Sequence, residues 1–137
     1  MQHHEKEQLL MAESDHAELI QYINTHRTSI IGKAGMAELV QDIEKAATVP
    51  DSEFPWDHIR LHSKVIIRDK IARVNYTYTL VMPEFNDHRK CKVSVFSSIG
   101  KALLGSKRGS DIVWELPGKK RYFTVMAITQ LSEGQEV

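Results

Sequence analysis

Residues 92–129 confine the chain to few folds. The apolar and β-branched run at residues 92–96 reads as a strand. Ser97 and Ser98 then precede Ile99, Ala102, Leu103 and Leu104, whose spacing is helical over residues 99–104. Gly105 ends that short helix, and Gly105 and Gly109 bracket a basic turn containing Lys107 and Arg108. A second strand over residues 111–116 runs into Pro117-Gly118, and a third returns over residues 121–129. Such a helix can cover one face of the sheet these strands build.

Upstream the pattern is different. Leu19, Ile20 and Ile23 form the apolar stripe of a helix that Ser14 or Asp15 can cap and that runs to Asn24, with Leu9-Leu10-Met11 as a further turn at its start. Met36, Leu39, Val40, Ile43, Ala46 and Ala47 recur at three- and four-residue steps in a second helix. Residues 25–35, with two glycines, read as the loop of an antiparallel hairpin, with His26, Arg27 and Lys33 at its tip. Pro50 and Pro55 then stop helical structure and stiffen a linker at residues 50–57, with Phe54 and Trp56 expected to bury aromatic surface. Strands are expected at residues 64–68 and 74–82, the second dense in β-branched and aromatic residues. The fold class is therefore α+β: a short helical hairpin (residues 1–49), the linker, a mostly antiparallel five-stranded sheet with one short helix (58–131), and a tail (132–137).

Little in the chain reads as chemistry. His58 and His62 are four apart, but near the start of a strand that spacing is too long for a shared ion, and no cysteine or clustered carboxylate completes a site. His3 and His4 lie in a terminus expected to fray. Ser97 and Ser98 stand before a helix without the Gly-x-Ser-x-Gly frame of a nucleophile, so one of them is expected to cap residues 99–104. Residues 105–109 follow a helix rather than precede one, which argues against a phosphate loop. No catalytic residue, cofactor or metal is expected.

Charge is divided along the chain. Residues 1–50 carry 4 Lys/Arg against 8 Asp/Glu, whereas residues 58–130 carry 14 against 5. The second part therefore favours an acidic or phosphate-bearing partner. Lys101, Lys107, Arg108, Lys119, Lys120 and Arg121 are expected to form one contact surface. Stacking aromatics are not interleaved with them, so direct nucleic-acid contact has weak support. The single cysteine, Cys91, allows no intrachain disulfide. With no apolar signal core and no span of transmembrane length, a cytoplasmic, membrane-free monomer is expected.

The run Ser97-Ser98-Ile99-Gly100-Lys101-Ala102-Leu103-Leu104-Gly105 resembles the signature of the GreA/GreB transcription-factor family, Ser-Pro-(Leu/Ile)-Gly-x-Ala-Leu-Leu-Gly. Ser98 replaces the proline, and Gly109-Ser110 stands where the family has Gly-Asp. Residues 113–118, Val-Trp-Glu-Leu-Pro-Gly, resemble more narrowly the short Rnk-type branch (regulator of nucleoside diphosphate kinase). The resemblance implies an FKBP-like C-terminal domain that docks on RNA polymerase beside the secondary channel. It places Ser97, Ser98, Ile99, Gly100 and Lys101 in the docking turn. It also implies an N-terminal arm, which in the family's cleavage factors carries acidic residues at its tip that help to hold magnesium. From Leu19 through Ala37 this chain has no Asp or Glu. A hard cation needs carboxylate oxygens, so a non-enzymatic channel regulator is expected. The rival expectations are a transcript-cleavage stimulator and a prolyl isomerase using Tyr76, Tyr78, Phe96, Trp114, Tyr122 and Phe123.

Overall fold

A computed structural model of the chain describes residues 8–131. The expected tail at residues 132–137, and His3 and His4, lie outside them. The chain divides into two compact units, Met1–Phe54 and Pro55–Val137.

In the first unit, strand β1 (Leu10–Ala12) and strand β2 (Ala47–Val49) pair in parallel, Leu10 opposite Ala47 and Ala12 opposite Val49. A parallel pair needs a crossover, which helices α1 (Glu13–Ile31) and α2 (Met36–Glu44) supply. This corrects two expectations. Leu10 and Met11 belong to a strand rather than a helical turn, because pairing with residues 47–49 buries Met11 and Ala12. Helix α2 stops at Glu44, short of Ala46 and Ala47.

Helix α1 also runs well beyond Asn24, through a break at His26 (φ −123°, ψ 19°). Most of the expected loop is therefore helical, and residues 32–35 make the turn, with Gly35 at φ 78°. Neither Ser14 nor Asp15 caps α1, whose N-cap is Ala12. The Asp51 carboxylate does that work from a distant 3₁₀ turn (Asp51–Glu53), accepting from the Ser14 backbone N–H at 3.0 Å and from the Ser14 hydroxyl. Leu19, Ile23 and Ile30 of α1 are buried, as are Met36, Leu39, Val40 and Ile43 of α2. His16 Nε2 donates to Ile43 O at 2.9 Å, and Arg27 pairs with Glu44 at 2.6 Å, tying the two helices together.

The second unit contains the expected five-stranded, mostly antiparallel sheet and one short helix. Its strands are β3 (Ser63–Asp69), β4 (Asn75–Val81), β5 (Lys92–Ser94), β6 (Asp111–Leu116) and β7 (Lys119–Gln130), in spatial order β5-β4-β3-β7-β6. Every neighbouring pair is antiparallel except β4 with β5. Strand β3 is central and alternates: Val65 and Ile67 are buried, whereas Lys64, Ile66 and Arg68 are partly exposed. With Leu80, Phe123 and Val125 they form the core beneath helix α3 (Ser98–Leu103), which buries Ile99 and Leu103. Trp56 does not bury its ring as expected. It is 65% exposed, with the Arg108 guanidinium 5.1 Å from its ring centre.

Gly100 seats α3. A Cβ there would stand 2.0 Å from Ser94 O and 2.9 Å from Val95 Cα, so only glycine lets the helix lie on the end of β5. Gly118 is different: a Cβ meets nothing within 4 Å, but its φ of 76° disfavours an L residue. We predict that Gly100→Ala destabilises by ~3 kcal/mol through forced displacement of backbone, and Gly118→Ala by only ~1 kcal/mol through φ alone. Urea unfolding of the two variants measures the difference, and equal losses would contradict the packing role of Gly100.

Candidate docking surface

The turn from β5 into α3 is built from its serines. Ser97 is the N-cap: its Oγ accepts from Gly100 N–H at 3.1 Å and donates to Ser94 O at 2.6 Å. Ser98 has another role. Its hydroxyl accepts from Trp114 Nε1 at 2.8 Å, joining the start of α3 to the edge strand β6. Ile99 and Gly100 face inward, and Lys101 is partly exposed on the first turn.

The expected basic surface does not form one patch. Lys107 and Arg108 lie before β6, where the Lys107 backbone bridges to His58 and Arg108 N–H donates to Asp57 O at 2.8 Å. Lys119 and Lys120 lie at the other end of β6, past the turn into β7. Six strand residues between them span roughly 20 Å. Lys120 also approaches Glu115 at 3.7 Å.

Arg121 is only partly exposed, and its charge is committed within the sheet. Its guanidinium pairs with Asp69 at 3.1 Å and lies 5.0, 5.3 and 5.5 Å from the ring centres of Phe123, Trp114 and Tyr76. Three of the six aromatic residues expected for an isomerase pocket, Tyr76, Trp114 and Phe123, therefore pack around a cation held by the protein itself. Register explains the grouping. Trp114 is opposite Arg121, Phe123 is opposite Asp69, and Tyr76 is opposite Ile67, so all share the sheet face that carries the core. No sequence pattern links Asp69 to Arg121, which are 52 positions apart.

Several carboxylates are held below their ordinary value of 3.8. Asp69 Oδ1 accepts from Ala72 N–H at 2.8 Å and Ile71 N–H at 2.9 Å, and these bonds, with Arg121 after them, favour its charged form. Asp111 is lowered chiefly by Lys70 at 2.6 Å and then by Thr124 at 2.8 Å. Asp57 is lowered chiefly by its hydrogen bond to His58 at 3.0 Å.

At the hairpin, only Lys33 occupies the turn between α1 and α2. His26 lies within α1, its ring stacked on Tyr22 at 4.1 Å and its Nδ1–H donating to Tyr22 O at 3.2 Å. Arg27 is committed to Glu44. Among the described residues, no three His, Cys, Asp or Glu side chains group closely enough to hold a metal ion. No helix among them is long and apolar enough to cross a membrane.

The family model for the C-terminal part of transcription elongation factors GreA and GreB matches residues 54–130. The chain is 30% identical over 119 residues to transcription elongation factor GreA of Rhodospirillum rubrum, covering 83% of this chain and 74% of that protein. It is 32% identical over 77 residues to the regulator of nucleoside diphosphate kinase of Escherichia coli, covering 56% of this chain and 57% of that protein. A prokaryotic transcription elongation factor GreA/GreB from Nitrosomonas europaea has a similar fold, with a TM-score of 0.77 at 24% identity, over 88% of this chain and 98% of that one.

Because Asp69, Asp111 and Asp57 are depressed in the folded chain, their contribution to stability is complete above the ordinary carboxylate value. It is lost as pH falls from 3.8 through the lower folded values. We predict that Asp69→Asn lowers the thermal midpoint at pH 7, and that its deficit against the wild-type chain narrows as pH drops below 3.8. Thermal melts across pH 2–7, an interval of about five units chosen to span that titration, test this. A deficit that stays constant would show that the Asp69 charge contributes nothing.

Proposed function

The chain belongs to the GreA/GreB transcription elongation factor family, and from that premise we propose that it is a non-cleaving regulator docking on RNA polymerase near the secondary channel. In this reading the second unit supplies the dock through Ser97, Ser98, Ile99, Gly100 and Lys101, with Lys107 and Arg108 as nearby cations. The helical unit competes with or occludes other factors at the channel and delivers no ion.

The observation that carries this reading is the hairpin turn. Between Glu18 and Glu38 no carboxylate is present, and Glu44, the acid that reaches back to α1, is taken by Arg27 at 2.6 Å. Magnesium coordinated for hydrolysis needs several hard oxygen ligands, which this turn lacks. Length points the same way. Nine residues of α2 extend only ~14 Å, so the paired part of the arm is short. The placement of Arg121 among Tyr76, Trp114 and Phe123 likewise favours a structural role for those rings over an isomerase site. The wider arrangement of functions, with residues 1–49 as the arm, 50–57 as linker and 58–131 as the dock, belongs to the same proposal, as do a monomeric state and a cytoplasmic site of action.

Two measurements test it. Core polymerase should retain the full chain, and the double variant Lys101→Glu, Arg108→Glu should lose most of that retention. On backtracked elongation complexes the chain alone should leave transcript cleavage at its basal rate, and excess chain should slow cleavage stimulated by a Gre factor. Accelerated cleavage would replace this reading with that of a cleavage stimulator.

A further inference from the structure

Residues 70–74, which join β3 to β4, have an unexpected composition for a tight connection. Such positions favour Gly, Asn, Asp and Ser, yet here they hold Lys70, Ile71, Ala72 and Arg73. Ile71 is 80% exposed and Val74 47% exposed. Arg73 adopts φ 60°, the left-handed region that a long side chain seldom occupies. Neither the exposed apolar side chains nor the left-handed backbone at Arg73 favours folding. Residues that break local rules without a compensating gain in stability point toward function.

The connection is nevertheless held firmly. Asp69 Oδ1 accepts from the N–H groups of Ile71 and Ala72 at 2.9 and 2.8 Å, and Arg73 N–H donates to Asp69 O at 2.9 Å. Lys70 N–H donates to Tyr122 O at 2.9 Å while its ammonium meets Asp111 at 2.6 Å. An exposed apolar side chain on a pre-ordered backbone loses little freedom when a partner covers it. The same Asp69 also links this turn to α3. It pairs with Arg121 at 3.1 Å, Arg121 lies 5.3 Å from the Trp114 ring centre, and Trp114 donates to Ser98 at 2.8 Å.

We propose that residues 69–74 are a second contact of the docking surface, with Ile71 as an apolar anchor entering a socket on an acidic protein surface. The Asp69–Arg121–Trp114–Ser98 chain fixes this anchor relative to the start of α3. The cationic excess of residues 58–130 selects an acidic partner. Exposed Ile71 and Val74 select protein over nucleic acid, because a phosphate backbone offers no pocket for a branched alkyl group. The inference rests on the polymerase-docking reading and takes polymerase as that protein.

The test measures binding of the full chain to core polymerase by titration. Ile71→Ser, which removes the apolar group without adding charge, should weaken binding about tenfold, and Ile71→Val should stay within about twofold of wild type. Thermal midpoints of both variants should be unchanged, since the side chain is 80% exposed. Wild-type affinity in Ile71→Ser, alongside lost binding in Lys101→Glu, Arg108→Glu, would overturn the anchor and leave the docking reading standing. No binding by the wild-type chain would overturn both. Equal, salt-sensitive binding of wild type and Ile71→Ser to a single-stranded oligonucleotide, with no binding to polymerase, would assign the surface to nucleic acid instead.

Discussion

The second unit is organised around one charge, the guanidinium of Arg121. Asp69 of β3, Tyr76 of β4, Trp114 of β6 and Phe123 of β7 all meet it, so four of the five strands contribute to a single contact. A cation over aromatic faces gains ~0.5–1 kcal/mol per ring at exposed sites, and the carboxylate neutralises it. The arrangement also fixes register. Sliding β7 by one residue against β6 would turn Arg121 and Phe123 to the opposite face and leave Asp69 without its counter-ion. A contact of this kind discriminates between pairings more sharply than apolar burial, which tolerates exchange among similar side chains.

The sequence reveals this sheet well because its signals are local. The β-branched and aromatic density of β4, the Pro117-Gly118 turn and the serine-capped start of α3 each occupy a few adjacent residues, and the strand and helix positions agree within two residues or so. What it hides is long-range. Strands β1 and β2 are three residues each and exist only because chain segments 37 positions apart pair, so Leu10 and Met11 look like one more helical turn. The capping of α1 by Asp51 is invisible for the same reason. Residues 25–31 contain histidine, threonine and serine, which favour loops in isolation, yet burial of Ile30 keeps the helix going after its break at His26. Grouping Arg121 with Lys119 and Lys120 treats adjacency in sequence as adjacency in space. On a strand, neighbouring side chains face opposite sides, and Arg121 turns to the core face.

Cation placement therefore separates contact from architecture. Arg27 and Arg121 each close a long-range pair within their own unit, Arg27 with Glu44 and Arg121 with Asp69. Lys33, Lys107 and Lys119 lack that commitment to a single carboxylate in the ion pairs above. Arg108 is intermediate: its charge rests over the exposed ring of Trp56, so the two side chains present one composite surface of cation and aromatic. Counting basic residues overstates the electrostatic footprint of the second unit, because part of the positive charge is neutralised internally.

The replacement of proline by Ser98 takes its meaning from this network. Proline at the first helical position pre-sets φ and offers no side-chain hydrogen bond. Serine gives up that rigidity and gains an acceptor, and Trp114 uses it. Trp114 lies in the Val-Trp-Glu-Leu-Pro-Gly run by which the chain resembles the short branch, so the Ser98 departure from the general signature and that run meet at one hydrogen bond. The start of α3 is then held by the far edge of the sheet as well as by its own Ser97 cap. Since Trp114 also contacts Arg121, and Arg121 holds Asp69, the start of α3 and the β3–β4 connection are parts of one connected framework. Loss of Trp114 would remove one contact from α3 and one from Arg121, whereas loss of Ser98 would remove only the contact to the helix.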